Sequence, residues 1–474
     1  MIRMRLSQVA TELTARLIGS DRFFQGCEVD SRRLQPGALF VAIRGQNQDG
    51  HAFVTDAEQR GAAALMVACG KGSRLPTVCV EDTRFALGEL ARVWRGGLQL
   101  PLVAVTGSNG KTTVKELLAS IFRTAGPTLA TAGNRNNDIG VPLTLFGLGE
   151  QHQFACIEMG ANRPGEIARL TEIAQPTVGV ITQCGVAHLE GFRTLEGVAR
   201  AKGELFAELH PDATAVINTD DRFAPLLVQL TGDRRRVCFG LTGDADLTAS
   251  WRPVPEGSII DLKTPGGRIE VRLRLAGRHN VQNALAAASA ALAVGLPLAV
   301  VRRGLEAVRL VSGRLERKSG IRGAAIIDDT YNANPGSLDA ALEVLAGSSG
   351  RRWLVLGDMG ELGLDAPAFH ESAGELAKRR GVERLYAVGP LGKIAAEAFG
   401  IGGIHCDSRA TLIELLRAEV SEGITVLVKG SRTMHMEEVV SALLGEVAES
   451  SPSRAPELRC ETVYPAMEAL LGKD

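Results

Sequence analysis

A five-residue strand-like run, Leu102-Val103-Ala104-Val105-Thr106, apolar but for its last residue, leads straight into Gly107-Ser108-Asn109-Gly110-Lys111-Thr112-Thr113 and then into an amphipathic stretch that extends to about Arg123. No other segment restricts the fold of the chain as much. A strand without polar alternation is buried on both faces, and a strand followed by a glycine turn and a helix opens a βαβ unit. The glycines let the backbone turn tightly enough for its N–H groups to face a phosphate, and the start of the helix adds positive potential. Lys111 is placed to reach terminal phosphates and the Thr112 hydroxyl to reach Mg2+. The full phosphate-loop pattern has glycine where Val105 stands, so this is a shortened variant. A bare glycine turn opening a helix is the bland alternative, and the strand together with Lys-Thr-Thr outweighs it.

The same alternation of strand and helix recurs along the chain. Residues 1–98 carry short apolar runs (Ala38 to Ala42, Ala63 to Val67, Thr77 to Val80) between helical stretches, and Gly96-Gly97 before Pro101 marks a turn or linker. Residues 99–311 hold the phosphate loop and further strand-like runs at Phe154 to Ile157, Val178 to Thr182 and Thr214 to Asn218. From about 241 to 275 the texture changes to short strands broken by Gly and Pro, which predicts a small antiparallel insertion before an alanine-rich helix, Val281 to Val294. Residues 312–450 alternate again, with runs at Ala325 to Ile327, Trp353 to Leu356, Leu385 to Val388 and Val426 to Val428. Residues 451–474 read as linker and tail. The expectation is an α/β protein: a small N-terminal α/β domain, a central parallel-sheet domain with the phosphate loop, and a Rossmann-like C-terminal domain. Gly357-Asp358-Met359-Gly360 does not fit a dinucleotide fingerprint.

Composition excludes several classes. Fifty-three Lys and Arg against 54 Asp and Glu leave a formal charge of -1, which argues against a protein that holds nucleic acid by bulk charge. The eight cysteines are scattered without a CxxC pair, so they form neither a disulfide framework nor a zinc site and read as buried free thiols. Met1 to Gly19 lacks a continuous apolar core for a signal sequence, and no stretch approaches the ~20 apolar residues of a membrane span. A cytoplasmic protein, and a monomer, is expected.

Other candidates gather at predicted strand ends. Glu158 closes the run Phe154 to Ile157, where a carboxylate faces the crevice in which parallel sheets bind ligands, and its hard oxygens suit Mg2+. Asp328-Asp329 ends another strand just before Asn332-Ala333-Asn334-Pro335, and Lys429-Gly430-Ser431-Arg432 follows Val426 to Val428. The amides of Gly133-Asn134-Arg135-Asn136-Asn137-Asp138-Ile139-Gly140 suit polar recognition, although they also make turns. His188, alone in a loop, reads as a scaffold residue; Lys202, in a predicted helix, reads as a solvated lysine; Arg234-Arg235-Arg236 reads as a surface turn. Three sheet edges offering phosphate, carboxylate and amide chemistry suggest an ATP-using enzyme that works between domains.

These residues resemble the bacterial Mur ligases from about Asp30 to about Val440. The resemblance is carried by Asp30-Ser31-Arg32, Asp49-Gly50-His51, the shortened phosphate loop, the Asn-rich run through Leu143, Glu158 to Asn162, His188 to Gly191 and Ala199 to Glu204. It continues through Gly277 to Asn283, Ser312-Gly313-Arg314, Asp328 to Pro335 and Lys429 to Arg432. The Asn332 to Pro335 segment, the Asn-Asn-Asp-Ile-Gly run and Lys429 to Arg432 point to the D-alanyl-D-alanine-adding member. The resemblance implies an ATP-dependent amide ligase that joins D-alanyl-D-alanine to UDP-N-acetylmuramoyl-tripeptide in peptidoglycan precursor synthesis, by way of an acyl phosphate.

It implies an N-terminal domain for the UDP end of the substrate, with Asp30, Ser31, Arg32, Asp49 and His51 as its contacts. ATP phosphates fall to Gly107, Ser108, Asn109, Gly110, Lys111, Thr112 and Thr113, adenine to Asn280 and Asn283, and phosphate and ribose to Arg314 and Asp329. Asn134, Asn137, Asn332, Asn334, Lys429, Ser431 and Arg432 are implied substrate contacts. Thr112, Glu158, His188 and Lys202, the last as a carbamate, are the implied Mg2+ ligands, and Lys111, Glu158, His188 and Lys202 the implied catalytic set. Gln183-Cys184 departs from the Asn that relatives often carry before the histidine. Another Mur ligase, or a folylpolyglutamate synthase-like ligase, is the alternative, although the folate enzyme has no need of Asp30-Ser31-Arg32. A P-loop phosphotransferase or a non-catalytic nucleotide-binding module accounts less well for Glu158, His188 and Lys202 together.

Overall fold

The strand Leu102–Thr106 is buried along its whole length, as its unbroken apolar run predicts, and it divides its side chains between two cores. Leu102 and Ala104 face the helices Thr83–Gly96, Glu166–Ala174 and Leu195–Ala207, whereas Val103 and Val105 face Lys111–Ala125 and Arg278–Ala293. The period of two along a strand produces this division. The computed structural model describes residues 1–45, 48–69, 74–186, 189–309 and 312–444.

The central sheet is six-stranded and wholly parallel, in the order Arg235–Phe239, Thr214–Asn218, Val178–Ile181, Leu102–Thr106, Phe154–Glu158, Thr128–Ala130. From Leu102–Thr106 the chain runs out to one edge, returns as the neighbour Phe154–Glu158 and then crosses to the opposite side as Val178–Ile181. That reversal opens a crevice at the carboxyl ends, the place where open α/β sheets bind ligands. Glu158 pairs with Val105 and Ile181 with Thr106, so the three strand ends lie level.

The expected antiparallel insertion is present as Thr248–Val254, Gly257–Thr264 and Gly267–Leu273, packed under the helix Arg278–Ala293. That helix begins three residues before the expected Val281, because Gly277, at φ 94°, sets its start. Arg234 to Arg236 do not form a surface turn. Arg235 and Arg236 open the edge strand, and Arg234 donates to Leu209 O at 2.7 Å and Ala207 O at 2.8 Å, closing the end of a neighbouring helix.

The N-terminal sheet, Arg16–Ile18, Thr77–Val80, Ala64–Ala68, Leu39–Val41 and Cys27–Glu28, turns one face onto the helix Thr83–Gly96, where its core runs without a break into that of the central sheet. Arg95 in that helix is 5% exposed and donates to Ala174 O, Leu98 O, Leu100 O and Gln175 O. The C-terminal sheet runs Glu316–Ser319, Ala325–Asp329, Ile424–Lys429, Arg351–Gly357, Arg384–Val388 and Gly403–Cys406, parallel apart from its first strand. Helices cover both faces, making it doubly wound. Of the cysteines, Cys79, Cys156, Cys184 and Cys406 are buried as expected; Cys27 and Cys238 are half-buried and Cys69 is exposed. Among the described residues no helix is long and apolar enough to cross a membrane.

Candidate functional site

The glycine loop owes its shape to two positions. Gly107 has φ 144° and a side chain there would overlap Thr182 Oγ1; Gly110 has φ 83° and a side chain there would overlap Asn283 Oδ1. Only glycine combines that backbone with so close an approach. Ser108 ties the loop down: its N–H donates to Gln183 O at 2.8 Å, and its hydroxyl exchanges hydrogen bonds with Gly185 at 2.9 Å. Lys111 folds back so that Nζ donates to Gly107 O at 2.7 Å. Burial pulls its pKa below that of an ordinary lysine, against the pull of Glu158.

At the end of the adjacent strand Glu158 is 2% exposed. One carboxylate oxygen accepts from the Thr112 hydroxyl at 2.8 Å and the other from Asn136 Nδ2 at 2.8 Å. The hydroxyl and carboxylate therefore form one cluster of hard oxygens beside the glycine loop, a donor set suited to Mg2+. Among the described residues no group of three or more His, Cys, Asp or Glu side chains converges into a metal site. His188 lies outside the described residues.

The C-terminal sheet closes over this loop. Arg314 Nη2 donates to Thr112 Oγ1 at 2.9 Å, its guanidinium lies 4.2 Å from the Tyr331 ring centre, and its buried Nε has no partner. A buried guanidinium N–H without an acceptor is costly, and an anion in the cleft would satisfy it. Asn334 caps the helix Pro335–Ala346 through Ser337 N–H and also donates to Asn109 Oδ1 in the glycine loop at 2.8 Å. Asp329 is ion-paired with Lys429, yet burial outweighs the pairing and raises its pKa above the usual carboxylate value. His279, pushed down to about 4 chiefly by burial, has a buried Nδ1 without a partner and lines the same cleft.

The cleft has a volume of about 640 Å³, within the range of ligand sites. It brings together Ser108 to Thr113, Glu158, Asn134, Asn137, Asn280, Asn283, Arg314, Asp329, Asn332, Asn334 and Lys429. Gly107 shapes the loop without lining the cleft. Ser431 and Arg432 lie outside it, with Ser431 N–H donating to Asp358 O at 3.0 Å and Arg432 paired with Glu437 at 3.0 Å. Asp30, Ser31, Arg32, Asp49 and His51 form two short 3-10 turns beside the N-terminal sheet, away from the cleft lining. Asp30 pairs with Arg32 at 2.8 Å, and Asp49 holds His51 Nδ1 at 2.6 Å while His51 Nε2 accepts from Ala68 N–H at 2.9 Å.

Lys202 is not the solvated lysine its helix suggested. It is 1% exposed, its Nζ donates to Ala161 O at 3.4 Å and lies 5.2 Å from the Phe192 ring centre, and burial lowers its pKa to about 7. Asn136, Arg84 and Arg169 also line the cleft, and sequence reasoning did not single them out as contacts. Asn136 stood in the Asn-rich run, but the two arginines carry no local signal, because their helices meet the cleft only through tertiary packing.

Three family models match the chain: the Mur ligase family catalytic domain over residues 24–95, the Mur ligase middle domain over 105–291, and the Mur ligase glutamate ligase domain over 313–432. The UDP-N-acetylmuramoyl-tripeptide–D-alanyl-D-alanine ligase of Escherichia coli K12 is 43% identical over 447 residues, covering 94% of this chain and 99% of that protein. A crystal structure of MurF from Acinetobacter baumannii aligns with TM-score 0.89 at 34% identity, over 93% of this chain and 98% of that one. The MurF ligase of Thermotoga maritima in complex with ADP aligns with TM-score 0.79 at 29% identity, over 88% and 96%.

Proposed function

The chain belongs to the Mur ligase family, and from that premise we propose that it joins D-alanyl-D-alanine to UDP-N-acetylmuramoyl-tripeptide at the expense of ATP. The observation that carries this reading is the meeting of two sheet edges over one phosphate loop, with Arg314 reaching Thr112 and Asn334 reaching Asn109. A ligase that makes a phosphorylated intermediate needs such an arrangement, because phosphate, acid and amine must meet in a site that excludes water.

In the first step the terminal carboxylate of the tripeptide attacks the γ-phosphorus of ATP, giving an acyl phosphate and ADP. Two anions approach each other, so positive charge must surround them. Lys111 supplies it once its ammonium leaves Gly107 O, and Arg314 supplies it through the guanidinium N–H that has no protein acceptor. The Thr112 hydroxyl and Glu158 would hold Mg2+, which supplies charge neutralisation at the phosphates. In the second step the free amine of D-alanyl-D-alanine attacks the acyl carbon and phosphate departs. Asn332, Asn334 and Lys429, on the C-terminal sheet edge, are the side chains offered to that amine substrate. Asn280 and Asn283 are the amides offered to adenine, and Asp329 is the carboxylate offered to the ribose. The N-terminal residues Asp30 to Arg32, Asp49 and His51 are assigned to the UDP end.

A carbamate on Lys202 is the finer reading. What supports it is burial: an amine with a pKa of about 7 is substantially neutral at physiological pH and able to take up CO2. Against it stand the carbonyl of Ala161 and the face of Phe192, which suit a cation.

The test is phosphate release by the purified protein. Turnover is expected only when ATP, the UDP-muramyl tripeptide and D-alanyl-D-alanine are all present, and Lys111→Ala should lower it by roughly 10²-fold or more. Turnover with a folate and glutamate, or near-normal ligation by the variant at saturating ATP, would sink the assignment.

A further inference from the structure

The helix Arg278–Ala293 turns one stripe to the cleft: His279, Gln282, Asn283 and Ala286, at the i, i+3, i+4 and i+7 positions, all line it. Leu275, Val308 and Leu315 add apolar surface to the same lining, which suits the flat face of a base. The asparagine amides of this helix are engaged with each other and with the scaffold. Asn283 Nδ2 donates to Asn280 Oδ1 at 3.1 Å, Asn280 Nδ2 donates to Ala276 O at 2.8 Å, and Asn283 Oδ1 lies against Gly110. Gln282 is held differently. Its Nε2 donates at 2.9 Å to Asp220, which stands just beyond the strand Thr214–Asn218. The Asp220 carboxylate also accepts from Leu241 N–H at 2.8 Å, from Thr242 N–H at 2.9 Å and from the Thr242 hydroxyl, while its own N–H donates to Asn218 Oδ1 at 3.0 Å. Burial alone would raise its pKa, yet the bonds from Thr242, Leu241 and Gln282 outweigh it and hold the carboxyl below its ordinary value. An ionised carboxylate accepts and never donates. It therefore fixes which way round the glutamine amide sits, with the NH2 toward Asp220 and the carbonyl oxygen turned from it.

Resting on the functional reading above, we propose that Gln282 is a specificity-determining residue for the nucleotide: its Oε1, oriented by Asp220, accepts from the exocyclic amino group of adenine and so selects a 6-amino over a 6-oxo purine. Asn280 and Asn283 offer that group no amide oxygen, since one oxygen is taken by the neighbouring amide and the other is turned to the glycine loop. A 6-oxo purine would set carbonyl against carbonyl. To answer it with NH2, Gln282 would have to turn its own oxygen onto the Asp220 carboxylate, leaving two acceptors face to face. Gln282 is thus the residue that touches the base, and Asp220 is a positioning residue that acts through it.

The experiment compares kcat/KM for ATP and for ITP, which differ only in the 6-substituent and the N1 proton, with the UDP-muramyl tripeptide and D-alanyl-D-alanine both saturating. A preference of about tenfold or more for ATP is expected, expressed chiefly in KM because the base is remote from the phosphorus under attack. Gln282→Met, similar in length but without the amide, should bring the ratio to within about twofold of unity through a loss on ATP. Asp220→Asn should also lower the ratio, but through a gain on ITP, because a neutral amide lets Gln282 reverse and present its NH2. A merely structural role would slow both nucleotides alike. A wild-type ratio near one, an undiminished ratio in Gln282→Met, or equal losses on both nucleotides in either variant overturns the inference. If Asp220→Asn does not fold, Gln282→Met decides alone. A protein that ligates with neither nucleotide overturns the functional reading; calorimetry of ADP against IDP, which needs no peptide, then decides the base contact by the same ratios.

Discussion

Lys202 shows how far burial changes a side chain that looks ordinary in sequence. In the unfolded chain its pKa is ~10.4, and in the folded protein it falls to about 7. Between these values the unfolded state binds more protons, so stability rises with pH across that window; below about 7 the penalty is fully present and no longer changes with pH. In CO2-free buffer, wild type should gain about 1–2 kcal/mol relative to Lys202→Met between pH 7 and 9, measured by urea unfolding. A constant difference would show that the amine keeps an ordinary pKa. Bicarbonate at pH 8 tests the carbamate in the same assay: it should raise the midpoint of wild type and leave Lys202→Met unchanged. An equal response in both proteins would exclude it.

Among the elements, the strand–loop–helix unit at 102–125 was legible because its signals are local: an apolar run, two obligatory glycines and an amphipathic period. Glu158, Asp329 and Lys429 were legible for a related reason, since a polar residue that ends a buried strand has to face the carboxyl edge. Arg84 and Arg169 were not, for their helices look like any exposed amphipathic segment until neighbouring elements turn them to the cleft. Arg95 escaped notice in the same way. A basic residue in the last turn of a helix carries no local signal of burial, yet Arg95 joins the carboxyl ends of two helices and the connection to the central sheet. Arg95→Met should therefore cost roughly 2–4 kcal/mol in urea unfolding, because several buried carbonyls lose a charged donor. A loss below about 0.5 kcal/mol would show that water replaces it.

For the whole molecule, the decisive contacts join parts of the chain some 200 residues apart: Arg314 with Thr112 and Asn334 with Asn109. Neither is a hydrophobic seam of the kind that makes domains immovable. Adding a non-hydrolysable ATP analogue and the UDP-muramyl tripeptide should populate this closed arrangement, and small-angle scattering should record a smaller radius of gyration than for the free protein. An identical radius in both states would overturn closure. The Asn109–Asn334 pair carries a further consequence. Asn334 is also the residue that starts the helix Pro335–Ala346, so one amide side chain reports the position of that helix to the loop that grips phosphate. On the proposed function, the loop thus works as a coincidence detector: it is complete only when nucleotide is bound and the C-terminal sheet has closed over it. Such wiring would restrain the protein from spending ATP on water while the domains stand apart.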